Sequence, residues 1–424
     1  MEQKFKKQFI KLEIRTLIIV LYIANIGLVK AQYTAIPDNC FEQHLIDLGI
    51  DSEGVLDGQV LTSDINTITE LTMNGTDINN NDYGCYIDNL QGIADFIALE
   101  TLNINTNGVQ HIDVSSLPNL KNLYCDNNYT QILALPPSIE IVYARFNRYS
   151  QNVDLSQTIN LKEIHLDGFY LSDMTHITTI NTNNCPNLIE LTADFNDITN
   201  LDTSNNFLLE NLSIINRLNQ VFTSFTHNNP NLKHLAIAGA LTSFNCDEMT
   251  NLEQVQLLEN KFTNLSFVNN INLIDVRIGG SSLLEKIDIR NNHNDIINLF
   301  STGDNPNLTC IYVDNTQYSQ VNWTNVNDLN YTFVETEAEC NTLSIEEENA
   351  SNNFIKIYPN PTNDILHILN SIDNTVEIYN LLGKMILKKE LSDNKMSLKF
   401  LKKGIYFLKI KTYNGFITRK IVKI

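Results

Sequence analysis

The sequence predicts a mainly β protein, in which a solenoid of short parallel strands is followed by a small C-terminal β-sandwich. Two observations predict this fold. Apolar residues return in one fixed spacing about every 21 residues through the middle of the chain, which indicates stacked coils. Short alternating segments rich in Ile, Val, Tyr and Phe then fill about the last 70 residues. The chain has 424 residues, of which 43% are apolar, so it can form a long core and a second domain.

The segment Pro186–Asn206 shows the spacing most clearly. Counted from Leu188, small or large apolar residues occupy positions 1, 4, 6, 11 and 14, and Asn196 occupies position 9. Neither a helix nor a single strand produces these gaps. The same phase starts again at Leu99 and at Leu252, and looser copies fill the chain between and around them. A fixed period of this length predicts a solenoid.

The spacing also predicts which side chains face the interior of each coil. Positions 4 and 6 are two residues apart, so they leave the same face of a short strand. That face is the interior, because one coil cannot bury its own apolar edge and must stack on its neighbours. Positions 3, 5 and 7 then face outward from a parallel sheet, and positions 11 and 14 close the other side of the coil.

The asparagine at position 9 falls where the chain turns away from the strand. Its amide offers one acceptor and two donors, so it can satisfy backbone groups along the stack. We predict a ladder that includes Asn107, Asn147, Asn196 and Asn260. The ladder is expected to be interrupted in the coils whose ninth position carries another residue, namely Phe169, Arg217, Ala240 and Ser281.

The full pattern, L-x-x-L-x-[L/A/I]-x-x-N-x-L, resembles the leucine-rich repeat. The variant with LDTSNN, IDVSS or IDIRNN after the second apolar pair resembles exported bacterial arrays. The resemblance covers about residues 36–340. It implies an N-terminal cap at 32–67, with a helix near Phe41–Leu48, and a solenoid at 68–340 that ends in a terminal coil at Asn305–Val326.

The first 31 residues are typical of a signal peptide. A basic segment, Met1–Arg15, precedes an apolar segment, Thr16–Val29. Small side chains at Val29 and Ala31 favour cleavage before Gln32. The apolar segment is shorter than the roughly 20 residues of a transmembrane helix. We therefore expect an exported, soluble mature protein.

Export permits disulfide bonds. Of the seven cysteines, Cys40 and Cys85 lie at the N-terminal end of the array, and Cys310 and Cys340 lie at its C-terminal end. We predict that each of these pairs forms a disulfide that closes one end. The other three lie in or beside repeat positions, where a free cysteine packs as a small apolar side chain. They are Cys125, Cys185 and Cys246.

A polar, acidic linker at 341–352 leads to a β-rich segment at 353–424, for which we predict an Ig-like β-sandwich. Four of its segments are similar, in order, to the type A C-terminal sorting domain of the type IX secretion system. They are YPNP (Tyr358–Pro361), VEIYNLLGK (Val376–Lys384), KKGIYFLKI (Lys402–Ile410) and ITRKIVKI (Ile417–Ile424).

This resemblance implies that the segment directs the protein across an outer membrane. It implies an interaction with the secretion machinery, removal of the tail, and release from or attachment to the surface of a Gram-negative bacterium. The residues that carry the sorting motif are Tyr358, Pro359, Asn360, Pro361, Gly383, Lys384, Gly404 and Tyr406. A sandwich that binds a ligand of its own is the alternative for this segment.

Charge excludes one class of partner. The formal net charge is -20, and residues 32–352 contain 42 acidic groups against 10 basic ones. Such a body repels phosphate backbones, so we expect no nucleic-acid partner. The sequence contains no Gly-rich phosphate loop, no G-x-S-x-G motif and no H-E-x-x-H motif. We therefore expect no enzymatic activity, no cofactor and no metal centre.

The candidate binding site lies on outward positions of three consecutive coils. Stacking should align Tyr124, Tyr143 and His165 in one row, and aromatic residues in a polar surround are typical of binding surfaces. The predicted site comprises Tyr124, Asp126, Tyr143, Arg145, Glu163, His165 and Asp167, with Glu190 and Asp194 at its edge. A metal at His165 is less favoured, because alternate strand positions lie about 7 Å apart.

Three functional hypotheses remain open from the sequence. The favoured one is a monomeric secreted or cell-surface recognition or adhesion protein that binds an extracellular protein or glycan on its sheet face. A polysaccharide-active enzyme on a parallel β-helix is the second, and a structural component of a surface layer is the third. A solvated face without a ligand is the plain alternative to the candidate site.

Overall fold

The computed structural model describes residues 32–75, 85–149, 152–169, 176–216, 221–328, 331–341, 356–369, 375–391, 394–412 and 415–424. The chain divides into two compact units between Phe333 and Val334. The predicted signal peptide at 1–31, almost all of the predicted linker at 341–352, and Arg217 lie outside the described residues. No helix in the described part of the chain is long and apolar enough to cross a membrane.

A parallel sheet of twelve described strands, here called the main sheet, runs through the first unit. Each coil contributes one strand, and equal positions of neighbouring coils pair, as where Leu191 lies between Ile164 and Leu212. In spatial order the strands are Glu70–Thr72, Thr101–Asn103, Asn122–Tyr124, Ile141–Tyr143, Glu163–His165, Glu190–Thr192, Asn211–Ile215, His234–Ala238, Gln254–Leu258, Asp275–Gly279, Leu299–Gly303 and Asn325–Val326.

Shorter sheets close the other side of the coils. The first joins His111–Asp113 to Ile132–Ala134 in parallel. The second contains Asn152–Asp154, Thr179–Asn181, Asn200–Asp202 and Ser224–Thr226. The third contains Asn264–Ser266, Lys286–Asp288, Cys310–Tyr312 and Thr332–Val334. Position 14 of a coil, such as Leu201, lies at the centre of these strands and faces inward, as the spacing predicts.

The core follows the predicted repeat positions. The side chains at positions 1, 4, 6, 11 and 14 of the coil that starts at Leu188 are all at most 2% exposed. They belong to one apolar cluster that extends from Ile36 to Phe333. Each large side chain buried in this way contributes about 1.5–3 kcal/mol. The solenoid and its shared interior are therefore confirmed.

The asparagine ladder is confirmed as well. The Asn196 amide donates to the carbonyl of Leu166 in the preceding coil at 2.9 Å and to Ala193 in its own coil at 3.1 Å. Its oxygen accepts from the Ile177 N–H at 3.1 Å. Asn107, Asn147 and Asn260 bond in the same way, and Asn128 joins them although it was not among the predicted members. Where Ala240 replaces the asparagine, its N–H donates to the Phe222 carbonyl.

Two further asparagine ladders were not predicted. The first is fully buried and follows the strands of the shorter sheets, here called the back strands. In it, Asn229 donates to the carbonyls of Thr203 and Asn206. It comprises Asn206, Asn229, Asn270 and Asn291. The second is exposed and precedes position 1, and each amide donates to a carbonyl of the preceding coil. It comprises Asn119, Asn160, Asn187, Asn231, Asn251, Asn272 and Asn307.

A small cap closes the N-terminal end. Its helix α1, Asn39–Asp47, begins two residues before the predicted segment because the Asp38 carboxylate accepts from the N–H groups of Cys40 and Phe41. The strands Tyr33–Ala35 and Gln59–Leu61 pair in antiparallel fashion beside it. A short helix α2, Thr62–Ile65, then leads into the main sheet. At the other end, helix α3, Thr316–Asn322, precedes the last main-sheet strand.

The cysteine predictions are confirmed. Cys40 and Cys85 form a disulfide with their Cα atoms 5.3 Å apart, and Cys310 is bonded to Cys340. The other three are free and buried in the solenoid: Cys125, Cys185 and Cys246. Burial raises the pKa of the Cys246 thiol to about 12, so it stays protonated and can donate to the Asn270 side-chain oxygen at 3.1 Å.

The second unit contains the predicted antiparallel strands, arranged in two sheets. One sheet consists of Lys356–Tyr358, Ile365–Leu369 and Lys395–Ser397. The other consists of Met385–Glu390, Thr375–Tyr379, Gly404–Thr412 and Gly415–Lys423, in that spatial order. Leu366, Val376, Ile378 and Leu408 are fully buried members of a separate apolar core.

Candidate ligand-binding face

The predicted aromatic row exists on the outward face of the main sheet. Tyr143 pairs in register with Tyr124 on one side and with His165 on the other. The ring centroids are 5.5 Å apart between the tyrosines and 4.3 Å apart between Tyr143 and His165. Desolvation by this packing raises the pKa of Tyr143. Neighbouring rings are tilted by 33° and 32°, so the row forms a continuous line of packed rings across three strands.

Asp126 and Arg145 hold one edge of the row. The Arg145 guanidinium donates to Asp126 Oδ2 through Nη2 at 2.6 Å and through Nε at 3.0 Å. The other carboxylate oxygen of Asp126 accepts from the Arg145 backbone N–H at 2.7 Å. The bonds to Asp126 raise the pKa of Arg145, whose charge lies 5.3 Å from the centre of the Tyr143 ring. Asp126 is 8% exposed, so its carboxylate is a fixed part of the fold.

The carboxylates at position 7 form another structural ladder. Asp167 accepts from the Asp194 N–H at 2.9 Å, and Asp194 in turn accepts from the Ile215 N–H at 2.7 Å. Asp194 also accepts from the Ser213 hydroxyl, and its burial raises the pKa of its carboxyl to about 6. These side chains lie at the predicted outward positions, but bonds to the next coil leave them little freedom to bind a ligand.

His165 and Glu163 occupy the next strand. His165 Nδ1 lies 3.0 Å from the Thr192 hydroxyl, and its Nε2 lies 3.9 Å from the Glu190 carboxylate. Glu163 pairs in register with Glu190, so two carboxylates are adjacent on the face beside the imidazole. Among the described residues, no group of three or more His, Cys, Asp and Glu side chains is placed to hold a metal ion.

Beyond His165 the face sinks into a depression of about 310 Å³ that the sequence analysis did not identify. Its floor follows the same row of positions, where the side chains become small at Ser213 and Ala236. One wall is a chain of hydrogen bonds in which Asn211 bonds to both Glu190 and His234. Small residues at position 5 of consecutive coils were the signal that could have revealed it.

The far wall of the depression carries a cation. The Arg277 guanidinium donates to both oxygens of Asp275, at 2.9 and 2.7 Å, and half of the Arg277 side chain remains exposed. These bonds raise the pKa of Arg277. Gln254 and Gln256 lie between this pair and the small residues, and they present amides to the depression. The depression is thus shallow, polar and of mixed charge.

Among the predicted motif residues of the tail, Asn360 makes two hydrogen bonds that hold the β-rich unit together. Asn360 donates to the Lys420 carbonyl and accepts from the Val422 N–H, both at 2.8 Å, which ties the start of the unit to its last strand. The peptide bonds before Pro359 and Pro361 are cis. Tyr358 is 46% exposed, and its ring stacks on His367.

The remaining motif residues shape turns. Gly383 has φ +74°, in the left-handed region that favours glycine, and its N–H closes a turn onto Asn380. Lys384 follows it and donates its N–H to the Asn380 side chain. Gly404 begins a long strand, and the Tyr406 hydroxyl donates to the Lys402 carbonyl at 2.9 Å.

Comparison with known proteins identifies this unit. Residues 356–424 match the family model of the secretion system C-terminal sorting domain. The segment is a type IX secretion sorting domain. Sorting domains of this kind mark proteins that are secreted from, or attached to the surface of, Gram-negative bacteria. The chain is therefore exported, and its sorting domain interacts with the secretion machinery.

Other similarities are partial. The chain is 36% identical over 80 residues to β-agarase D of Zobellia galactanivorans, and the match spans 19% of this chain and 17% of that protein, in the region of the sorting domain. The functional domain of InlJ from Listeria monocytogenes is 18% identical, with a TM-score of 0.40 over 93% of this chain and 98% of InlJ. Internalin C2 of Listeria monocytogenes is 17% identical, with a TM-score of 0.35 over 67% and 98%.

Proposed function

We propose that the protein is a secreted or surface-attached recognition or adhesion protein, and that the outward face of its main sheet binds an extracellular protein or glycan. The observation that carries this proposal is the continuous row of Tyr124, Tyr143 and His165, which leads into the depression at Ser213 and Ala236. Aromatic rings beside a polar recess combine apolar contact with hydrogen bonding. The sorting domain supplies the export that such a role requires.

The rigidity of the face supports the proposal. Arg145 is fixed by two bonds to Asp126, and His165 packs against Tyr143 on a strand that is paired on both sides. A ligand that meets ordered side chains does not have to immobilise them, so more of the contact energy appears as affinity. The shallow, extended form of the face suits a large ligand, and we propose that the protein acts as a monomer.

We propose further that the face performs no bond chemistry. Three of its carboxylates, those of Asp126, Asp167 and Asp194, already accept backbone N–H groups of the next coil. A general acid or base must be free to exchange a proton with a substrate. The resemblance to an agarase concerns the sorting region and gives no reason to assign that activity to the solenoid.

An array of glycans and extracellular-matrix proteins tests the proposal. The full-length chain is expected to bind at least one class, and the double variant Tyr124→Ala/Tyr143→Ala is expected to lose about tenfold or more in affinity, because both rings leave the face. The matched control is Phe207→Ala/Ile271→Ala, which removes exposed apolar side chains from the turns that precede position 1.

Three results would contradict it. Binding that survives the tyrosine double variant would place the ligand elsewhere. Turnover of acidic polysaccharides by the purified chain would favour an enzyme. Self-association without added ligand would favour a structural component of a surface layer.

A further inference from the structure

A second recess lies away from the sheet face, at the turns that follow the first main-sheet strands. It has a volume of about 510 Å³ and is lined by four aromatic rings from successive segments, those of Tyr86, Tyr129, Phe146 and Phe169. This region, here called the turn cleft, uses none of the residues of the aromatic row. We predicted no site here from the sequence, in which Phe169 marks only an interruption of the asparagine ladder.

The local backbone explains why large side chains project here. Thr106, Asn127 and Phe146 occupy position 8 of consecutive coils, with φ of +60°, +55° and +57°. The left-handed conformation sharply turns the chain just before the ladder asparagine. Phe195 and Glu259 adopt it at the same position in later coils, so the turn belongs to the repeat. The turn itself does not require aromatic side chains, so their clustering in the first coils is a separate feature of the sequence.

The aromatic rings form the sides of the turn cleft. Phe146 and Phe169 lie with their centroids 5.4 Å apart at an angle of 48°. Tyr129 is 47% exposed, and the Arg148 guanidinium lies 4.1 Å from the centre of its ring. Large aromatic surfaces left open to water at a concave site are typical of ligand-binding positions.

Polar side chains accompany the rings. The side chains of Asp88, Thr106 and Asn127 line the turn cleft, and no hydrogen bond joins their polar atoms to the part of the chain that the structure describes. A carboxylate, a hydroxyl and an amide thus remain available beside the aromatic walls. Together they can accept from and donate to a ligand.

We propose that the turn cleft binds a neutral saccharide. The apolar faces of a pyranose ring pack on aromatic side chains, while its hydroxyls pair with Asp88, Thr106 and Asn127. A wholly apolar ligand would cover these polar groups without pairing them. The 42 acidic groups of residues 32–352 and the Asp88 carboxylate in the cleft oppose an anionic ligand. The Arg148 guanidinium already lies 4.1 Å from the centre of the Tyr129 ring, where it takes the position that a cationic ligand would occupy on that face. A neutral polyhydroxylated ring satisfies all of these conditions.

Titration of the full-length chain with neutral hexasaccharides tests the proposal. Cellohexaose, laminarihexaose and mannohexaose serve as probes, with choline and an oligogalacturonide as the cationic and anionic comparisons. Saturation-transfer NMR and calorimetry report binding. We expect a neutral hexasaccharide to bind, and expect Tyr129→Ala and Phe146→Leu each to weaken it by about tenfold, the effect of losing one good contact.

Controls separate this site from the sheet face. Phe207→Ala removes a ring that is as exposed as that of Tyr129 but lies in the turn before position 1, away from the cleft residues. It should leave saccharide affinity unchanged. Tyr124→Ala/Tyr143→Ala should also leave it unchanged, so the sheet-face proposal can fail independently. Asn127→Gly removes an exposed amide without opening the core, and glycine tolerates the left-handed backbone at this position, so it should weaken binding with little change in thermal stability.

The proposal is overturned if none of the neutral hexasaccharides binds, or if choline or the oligogalacturonide binds the cleft in their place. It is also overturned if a saccharide binds and the Tyr129, Phe146 and Asn127 variants all retain its affinity.

Discussion

At the scale of single residues, asparagine solves a problem that stacking creates. A chain that turns after a three-residue strand exposes backbone carbonyls and N–H groups to the core, where an unpaired group costs about 1–3 kcal/mol. Asn196 satisfies such groups in two coils at once, and Asn229 does the same behind the back strands. The abundance of asparagine is therefore a consequence of coil geometry, at three separate positions of the repeat.

We predict that Asn196→Ala destabilises the solenoid by about 2–4 kcal/mol, because it leaves buried groups of Leu166, Ala193 and Ile177 without partners. Urea unfolding followed by circular dichroism measures the effect. Asn264→Ala is the matched control, since Asn264 is an exposed strand residue, and its effect should stay within about 0.5 kcal/mol. Equal midpoints for the two variants would contradict the ladder's role.

The Asp194 carboxyl should give stability a pH dependence. Its pKa is about 6 in the folded protein, against 3.8 for the free side chain, because burial disfavours the charged form. The contribution of this group is fully present below about pH 4 and is lost as the pH rises through about 6, by up to roughly 3 kcal/mol. Asp194→Asn, whose oxygen can still accept from Ile215, should remove that loss.

Unfolding midpoints of the parent chain and of Asp194→Asn, measured from pH 4 to 7, test this expectation. The two curves should converge near pH 4, where the carboxyl is protonated, separate progressively up to about pH 6, and stay a constant distance apart above it. Parallel curves over the whole range would show that the Asp194 charge is not desolvated.

At the scale of elements, the repeating structure is the coil, and each coil leaves an apolar edge for its neighbour to cover. The end coils therefore need caps. At the N-terminal end, α1 covers the core through Phe41 and Leu45. Glu42 is fully buried there, yet its carboxylate accepts from the N–H groups of Asp57, Gly58 and Gln59, so the loop after the helix is fixed to it.

Removing the N-terminal disulfide should loosen this cap selectively. The Cys40–Cys85 bond closes a loop with a sequence separation of 45, for which the loss of chain entropy corresponds to about 3–4 kcal/mol. In Cys40→Ser/Cys85→Ser, hydrogen exchange should accelerate in α1 and in Glu70–Thr72 more than in Gln254–Leu258. Cys310→Ser/Cys340→Ser, the matched control, should not produce this pattern at the N-terminal end.

At the scale of the whole molecule, the solenoid is modular, because each main-sheet strand pairs only with the strands of adjacent coils. Its length can change by whole coils without disturbing the interior. Sorting is carried by a separate compact unit with its own core, so changes in the solenoid should leave the export signal intact.

Deletion of residues 188–208 removes one complete coil and joins Asn187 to Leu209, which preserves the spacing of the next coil. We expect the shortened chain to fold, with a β-rich circular dichroism spectrum and a cooperative melt. Deletion of residues 188–198 removes half a coil and shifts inward side chains out of phase, so it should abolish the melt. If both deletions fold equally well, the coil is not the structural unit.

Much of this architecture could be read from the sequence, because a repeat makes local spacing equivalent to spatial position. Once position 4 is assigned to the interior at Leu191, its equivalents in all other coils follow. For the same reason, the alignment of Tyr124, Tyr143 and His165 followed from their shared phase alone. The sorting motif was also legible, since its segments keep their order along the chain.

The sequence by itself thus determined the stacked coils, the inward residues, the disulfide pairs and the exported class of the protein. Only the tertiary structure decided what the outward polar residues do. Asp126 and Asp167 bond to backbone groups of the following coil, and the depression at Ala236 and the turn cleft at Tyr129 depend on side-chain sizes in neighbouring coils. Phase fixes which way a side chain points, whereas its bonding partner is set by residues about twenty positions away.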